Sequence, residues 1–208
     1  MTGPRTYGGR SGIDRIAERR GRFVAAGLEL MGTKGIAATT LRGVAALSGV
    51  AARYFAESFG SIEELHVAVF DQITNEIESQ GMAAIAAAPA RPRAQARAAL
   101  STVIDLLLDD RRKGQIILIE SASSATLGRR RLAEAHHFAT LIGIVAKNAA
   151  NAELLDIQLT AQYVLHGVAG ALTAVFTGEI DIEREHLVDR LTDLLFTTIN
   201  TVPQRASR

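Results

Sequence analysis

The chain has 208 residues, 48% of them hydrophobic, enough for one large domain or two small ones around a substantial core. It contains no cysteine, which excludes disulfides and thiolate metal sites and fits a reducing cytoplasm. The formal net charge of +1 is uneven: residues 1–60 hold nine Lys/Arg against four Asp/Glu (+5) and the rest fourteen against eighteen (−4), the asymmetry expected where one end meets a polyanion.

Valine and isoleucine fall in helix-period runs rather than alternating ones, so the pattern reads as all-α, with no internal repeat. Residues 1–11 hold three glycines and a proline and read as a flexible arm, with no signal peptide. The spacing then predicts a helix over 12–31. Its apolar stripe is Ile16, Phe23, Ala26, Gly27 and Leu30, with Val24 and Leu28 beside it, and Gly32 and Gly35 end it. Thr39 or Thr40 caps a short helix over 41–47. Ser48-Gly49-Val50 makes a turn, a second short helix covers 51–58, and Phe59-Gly60 breaks it. Ser61-Ile62-Glu63-Glu64 reads as a capping box, with Ser61 accepting from the third helical amide and Glu64 reaching back to the Ser61 amide. The helix it starts runs to about residue 80. Pro89 and Pro92 place a connection at 81–93. Further helices are expected at 93–111, 115–125, 129–149, 153–177 and 182–201, and residues 203–208 read as a frayed tail.

Two short helices joined by a tight, glycine-containing turn form the helix-turn-helix signal. The first crosses the DNA backbone and the second offers side chains to base edges in the major groove. Val44, Ala45, Val50, Phe55 and Phe59 are spaced to hold the two helices at a fixed angle, with Ala45 small at the close approach.

The residues Gly35-Ile36-Ala37-Ala38-Thr39-Thr40-Leu41-Arg42-Gly43-Val44-Ala45, then Ser48-Gly49-Val50-Ala51-Ala52-Arg53-Tyr54-Phe55, then Phe59-Gly60-Ser61-Ile62-Glu63-Glu64-Leu65 resemble the signature of the TetR/AcrR family of transcriptional regulators. The resemblance is specific over about residues 13–73; beyond that, helix number and length alone match. It implies a DNA-binding domain over 12–73 and a helical ligand-binding and dimerisation domain over 74–202. It implies, too, a homodimer on a palindromic double-stranded operator, most often a repressor released by a small-molecule ligand. The DNA-contacting positions it implies are Thr40, Arg42, Ala51, Ala52, Arg53 and Tyr54. Arg42 and Arg53 suit base edges, since the planar guanidinium pairs bidentately with guanine. Ala52 suits a thymine methyl, and Thr40 and Tyr54 suit phosphates. Arg5, Arg10 and Arg15 of the N-terminal region would add contacts beside the site. Three positions depart from the signature. Ala51 stands where a serine usually caps the recognition helix, a loss of about 1 kcal/mol of helix stability. Ala56 replaces a phosphate-contacting tyrosine, and Ile62 replaces a lysine.

By the same resemblance the last two long helices form a four-helix dimer interface. Gly167, Gly170 and Ala174 suit close backbone approach, and Leu187, Leu191, Leu194 and Leu195 recur at helical spacing. An intrachain core explains these residues equally. The ligand pocket would lie in the helices between reading head and interface, with His66, Phe70, Asp105, His137, Tyr163 and His166 as its polar or aromatic candidates. Residues 157–178 carry no formal charge and approach the length of a membrane span, but Gln158, Thr160, Gln162, His166, Thr173 and Thr177 interrupt them. A helix covered by protein on nearly all sides is therefore expected, without membrane association.

Two other classes compete. Glu63/His66, Glu134/His137 and Glu183/His186 are Glu-x-x-His pairs, the element of di-iron helical proteins. However, Glu63 and Glu183 lie in first turns, where acidic residues favour the helix dipole. No cofactor or metal is expected, and no phosphate-binding loop, zinc-protease helix or nucleophile elbow occurs. A helical protein-interaction module with weakened DNA binding is the alternative if the three departures disable the reading head.

Overall fold

The structure, a computed structural model, describes residues 12–147 and 154–200. Among them every regular element is helical. Helix α1 spans Gly12–Lys34, followed by a 3-10 turn at Ile36–Ala38. Helix α2 is Leu41–Ser48, and the second short helix is a 3-10 helix, Ala52–Glu57. Helix α3 runs Ile62–Ala87 and α4 runs Pro92–Asp109. A continuous helical stretch follows, made of α5 (Arg111–Gly114), a π-helical segment (Gln115–Glu120) and α6 (Ser121–Ser123). The last three helices are α7 (Ala125–Lys147), α8 (Leu154–Thr177) and α9 (Arg184–Asn200).

Local chemistry sets these boundaries. Helix α1 continues three residues past Met31, through Gly32, because that glycine serves a helix crossing: a Cβ there would lie 2.6 Å from Arg112 Cα. Gly35, at φ +82°, ends the run, a conformation that glycine adopts without steric cost. Helix α3 extends past residue 80 because Met82-Ala83-Ala84-Ile85-Ala86-Ala87 are mostly strong helix formers, leaving residues 88–91 as the connection. Pro92 then takes the first turn of α4, where its missing amide proton costs nothing. The helices expected at 93–111 and 115–125 nearly fuse: Asp110 alone separates them, and its side chain caps α5 by accepting from the Arg112 amide at 3.1 Å.

One apolar core runs from Phe23, Met31 and Val44 through Leu65, Val69 and Phe70 to Ile104, Ile116 and Leu191. Helix α1 packs on α2, α3 and α5; α3 packs on α4 and α7; α4 packs on α9; and α8 packs on α7 and α9. Gly27 lets α1 and α3 approach closely, since a Cβ there would meet Val69 Cγ2 at 2.9 Å. Ile16, expected on the α1 stripe, is instead 39% exposed, and the packed stripe begins at Phe23.

Helix α8 departs from expectation more strongly. It was expected to be covered on nearly all sides, yet only one face is. Leu159, Tyr163, His166, Gly167 and Gly170 form an exposed stripe, with Leu159 and Tyr163 both 69% exposed. The opposite face, with Ala161, Val164, Leu172 and Phe176, is buried. Among the described residues α8 alone is long and apolar enough to cross a membrane.

Candidate nucleic-acid interface

The N-terminal elements form a helix-turn-helix. Thr40 caps α2 by accepting from the Gly43 amide at 3.2 Å. Thr39 does not cap; it is buried and its hydroxyl donates to the Gly35 carbonyl. Gly49 takes the left-handed conformation, φ +64°, that turns the chain from α2 into the second helix. Val44, Val50, Phe55 and Phe59 are all buried. Phe55 and Phe59 meet Phe23 of α1 edge-on, with ring centroids 5.3 and 6.5 Å away. This aromatic trio fixes the second helix against α1. Its geometry is 3-10 throughout, and Ala51 at its start offers no side-chain cap.

The six DNA-contact candidates fall on this unit. Thr40, Arg42, Ala51, Ala52 and Arg53 are exposed, and Tyr54 is half-buried. The Thr40 hydroxyl is already engaged as the α2 cap. Arg53 lies against the Tyr54 ring, 4.9 Å from its centroid, and donates to its hydroxyl at 3.3 Å. Arg5 and Arg10 lie outside the described residues; Arg15 is exposed on α1.

Sequence reasoning missed three further arginines of α1, all of which bind the unit itself. Arg22 donates to the Ser48 carbonyl at the end of α2 (2.5 Å). Arg20 donates to the Ser58 carbonyl at 2.6 Å and lies 4.2 Å from the Phe59 centroid. Arg19 pairs with Glu57 at 2.5 Å and lies 4.6 Å from the Tyr54 centroid. The signal available was the density of arginine at 19, 20 and 22 just before Phe23. It reads as a solvated basic face until the partners are known.

The capping box forms in part. The Glu64 amide donates to Ser61 Oγ at 3.3 Å, but the Glu64 carboxylate accepts from the Gly60 amide at 2.7 Å and not from Ser61. The Glu63 carboxyl is held below its ordinary range by hydrogen bonds, first to its own amide and then to the Ser61 hydroxyl.

The six ligand-pocket candidates do not share one site. His66 and Phe70 are buried on α3. Asp105 accepts from Arg184 at 2.9 Å, tying α4 to α9. His137 faces Glu78 on the exposed side of α7, and Tyr163 and His166 lie on the exposed stripe of α8. Side chains 138–157, which include parts of α7 and α8, lie outside the described residues. A cleft of about 330 Å³ opens at Arg20, Phe59, Glu63 and Asp71, beside the helix-turn-helix. Of the dimer-interface candidates, Gly167, Gly170 and Leu194 are exposed, and Ala174 and Leu195 are half-buried. Leu187 and Leu191 lie on α9 and fill this chain's own core. The Glu-x-x-His pairs do not converge: Glu134 pairs with Arg130, His137 with Glu78, and Glu183 and His186 are exposed. No group of three potential metal ligands occurs among the described residues.

Residues 110–120 make polar contacts with the N-terminal helices. Arg112 bridges Glu29 of α1 and Asp110, both at 2.8 Å, and its hydrogen bonds to Asp110 hold that carboxyl below its usual range. Lys113 reaches Glu76 of α3 at 2.7 Å. Glu120, at the end of the π segment, accepts from the Ile36 amide at 2.9 Å, just ahead of α2.

Residues 23–69 match the family model described as bacterial regulatory proteins, tetR family. No curated protein matches the chain in sequence. Several solved structures share its fold. The fatty acid degradation regulator FadR from Bacillus halodurans superposes with a TM-score of 0.74 at 14% identity, over 90% of this chain and 97% of that one. FadR from Bacillus subtilis, in complex with stearoyl-CoA, gives 0.74 at 15% identity, over 85% and 97%. AibR, in complex with isovaleryl coenzyme A and operator DNA, gives 0.63 at 17%, over 86% and 98%. The N-terminal helix-turn-helix thus matches the tetR family model over residues 23–69, and the chain as a whole shares the fold of these solved regulators.

Proposed function

We propose that the chain is a sequence-specific, dimeric DNA-binding regulator, a repressor released from a palindromic operator by a small-molecule ligand. The observation that carries this reading is the exposed edge of the helix-turn-helix. There Arg42 and Arg53 stand clear of the core on a unit that matches the tetR family. In this reading Arg42 and Arg53 read base edges, Ala51 and Ala52 make close apolar contact, and Thr40 and Tyr54 face the backbone. The exposed stripe of α8, with Gly167 and Gly170, and the exposed side of α9 at Leu194 form the dimer face. Such a regulator works in the cytoplasm, where its DNA is.

Ligand control requires the ligand to bind one arrangement of the reading heads better than the other. Helix α3 runs from the reading head into the ligand-binding half, and residues 110–120 touch α1, α3 and the Ile36 amide, so both elements can carry the change. An acyl-coenzyme A is the ligand class to test first, because two proteins of this fold are described with one bound.

Selection from a random DNA library, followed by fluorescence anisotropy across a salt series, tests the reading. A palindrome should emerge, with log affinity falling by about 0.9 per neutralised phosphate for each unit of log salt. An acyl-coenzyme A series titrated onto that complex should then release the DNA. Enrichment of no sequence would favour the interaction-module reading, to which the uncapped 3-10 helix and Ala56 already point. Simultaneous binding of acyl-coenzyme A and operator without mutual weakening would rule out release by that ligand.

A further inference from the structure

We infer that Arg19 is the positioning residue for DNA readout: from α1 it grips Tyr54 and Glu57 together and so sets the direction in which Arg53 points. The inference rests on the DNA-reading role proposed above.

The second short helix is held on α1 along its inner side by Phe55 and Phe59, but its outer edge has little of its own to fix it. It has six residues in 3-10 geometry, whose hydrogen bonds are poorer than those of an α-helix, and no side chain caps its start. Phe55 anchors its inner side against Phe23. On a 3-10 helix residues three apart eclipse one another, so Tyr54 and Glu57 share one edge. Arg19 holds both at once: Nη2 pairs with Glu57 Oε2 at 2.5 Å, and the guanidinium carbon lies 4.6 Å from the Tyr54 centroid. Tyr54 in turn receives Arg53, by ring contact at 4.9 Å and a hydrogen bond at 3.3 Å. That bond uses one of the five guanidinium N–H groups, so the others remain for a base edge. Arg19, Tyr54 and Arg53 thus form a continuous chain from the rigid helix to the reading side chain. Arg19 has its charge committed to Glu57 and its side chain only 24% exposed, unlike a cation held out for phosphate.

The test uses the full chain and the DNA site that it selects. Affinities of wild type, R19A, R19K and E57A are measured on that duplex and on duplexes with single-base changes, across a salt series, with circular dichroism to establish folding. R19A should lose about tenfold in discrimination against the changed base read by Arg53, within the range of one bidentate contact. Its salt slope should equal that of wild type, because no phosphate contact is lost. R19K keeps the charge opposite Glu57 but not the planar face on Tyr54, and should lose part of the discrimination. E57A should do the same from the other side. Uniform weakening on all duplexes with a slope shallower by about 0.9 would make Arg19 a phosphate contact and overturn the inference. Wild-type discrimination in R19A would overturn it as well. If R19A does not fold, R19K decides: full discrimination there overturns the inference, and partial loss at wild-type slope supports it. If the wild-type chain selects no DNA sequence, the DNA-reading role falls first and the inference with it.

Discussion

At the scale of single residues, His66 stands out as a buried ionisable group at the seam between α3 and the loop entering α2. It is 6% exposed and its Nε2 has no hydrogen-bond partner. Burial pushes its pKa down, while the nearby Glu63 carboxylate and a hydrogen bond to the Thr39 backbone act in the opposite direction. The unfolded chain takes up a proton near pH 6.5, and the folded chain resists doing so until the pH is lower. Below about 6.5 the unfolded state therefore binds more protons, and stability falls as the pH drops. We expect the urea midpoint to decline between about pH 7.5 and 5.5, with His66→Asn flattening that slope. An unchanged slope in the variant would assign the loss to other groups. This residue also illustrates what sequence can convey. Glu63 and His66, three apart, suggested a metal pair; they are neighbours on the helix, but Glu63 sits at the exposed rim of that face and His66 is buried against the core. The capping box teaches the same lesson at shorter range. Ser61 was legible because its bond is local, whereas the partner of Glu64 depended on how Phe59-Gly60 enters the helix.

At the scale of elements, glycine spacing separates tolerated from constrained positions. Gly114 lies at the end of α5, and a Cβ there would collide with the Leu107 carbonyl oxygen and lie 2.5 Å from the Phe176 ring. A backbone oxygen cannot rotate away, so Gly114→Ala should destabilise the fold by about 1–3 kcal/mol, despite the better helix propensity of alanine. Gly81, inside α3, has nothing within 4 Å of the same atom. Gly81→Ala should instead stabilise by roughly 0.5–1 kcal/mol, the backbone-entropy gain alone. Urea denaturation of both variants checks the pair, and equal effects would mean that Gly114 relaxes freely. Element type was well announced by periodicity and by Thr40, Gly35, Gly49 and Pro92, which act within one turn. Element ends were not. Gly32 read as a stop but is a crossing with Arg112, a residue eighty positions away in the sequence. The π segment left no local mark either, and its link from Glu120 to the Ile36 amide exists only once two distant stretches are docked.

At the scale of the whole molecule, the exposed stripe of α8 is the feature that a single chain leaves unexplained. Leu159 and Tyr163 are largely exposed beside Gly167 and Gly170, on a helix whose other face is buried. The sequence announced an apolar helix but not which of its faces this chain would leave open. In the dimer proposed above, the stripe meets its own copy across a two-fold axis. Any substitution there acts twice and, near the axis, against itself. Gly167 is a clean probe because nothing lies within 4 Å of a Cβ built on it, so a larger side chain is tolerated within one protomer. Gly167→Asp would place two carboxylates against each other at a close-packed helix crossing, without disturbing the core of either chain. Sedimentation equilibrium at micromolar concentration should find wild type dimeric and the variant shifted strongly toward monomer. Its circular dichroism spectrum should stay helical. Binding to a palindromic site should weaken far more than binding to a half-site, since two linked reading heads bind with an effective concentration that one lacks. A monomeric wild type would remove the dimer from the proposal. A dimer indifferent to Gly167→Asp would move the interface to another face and leave the α8 stripe to a different partner.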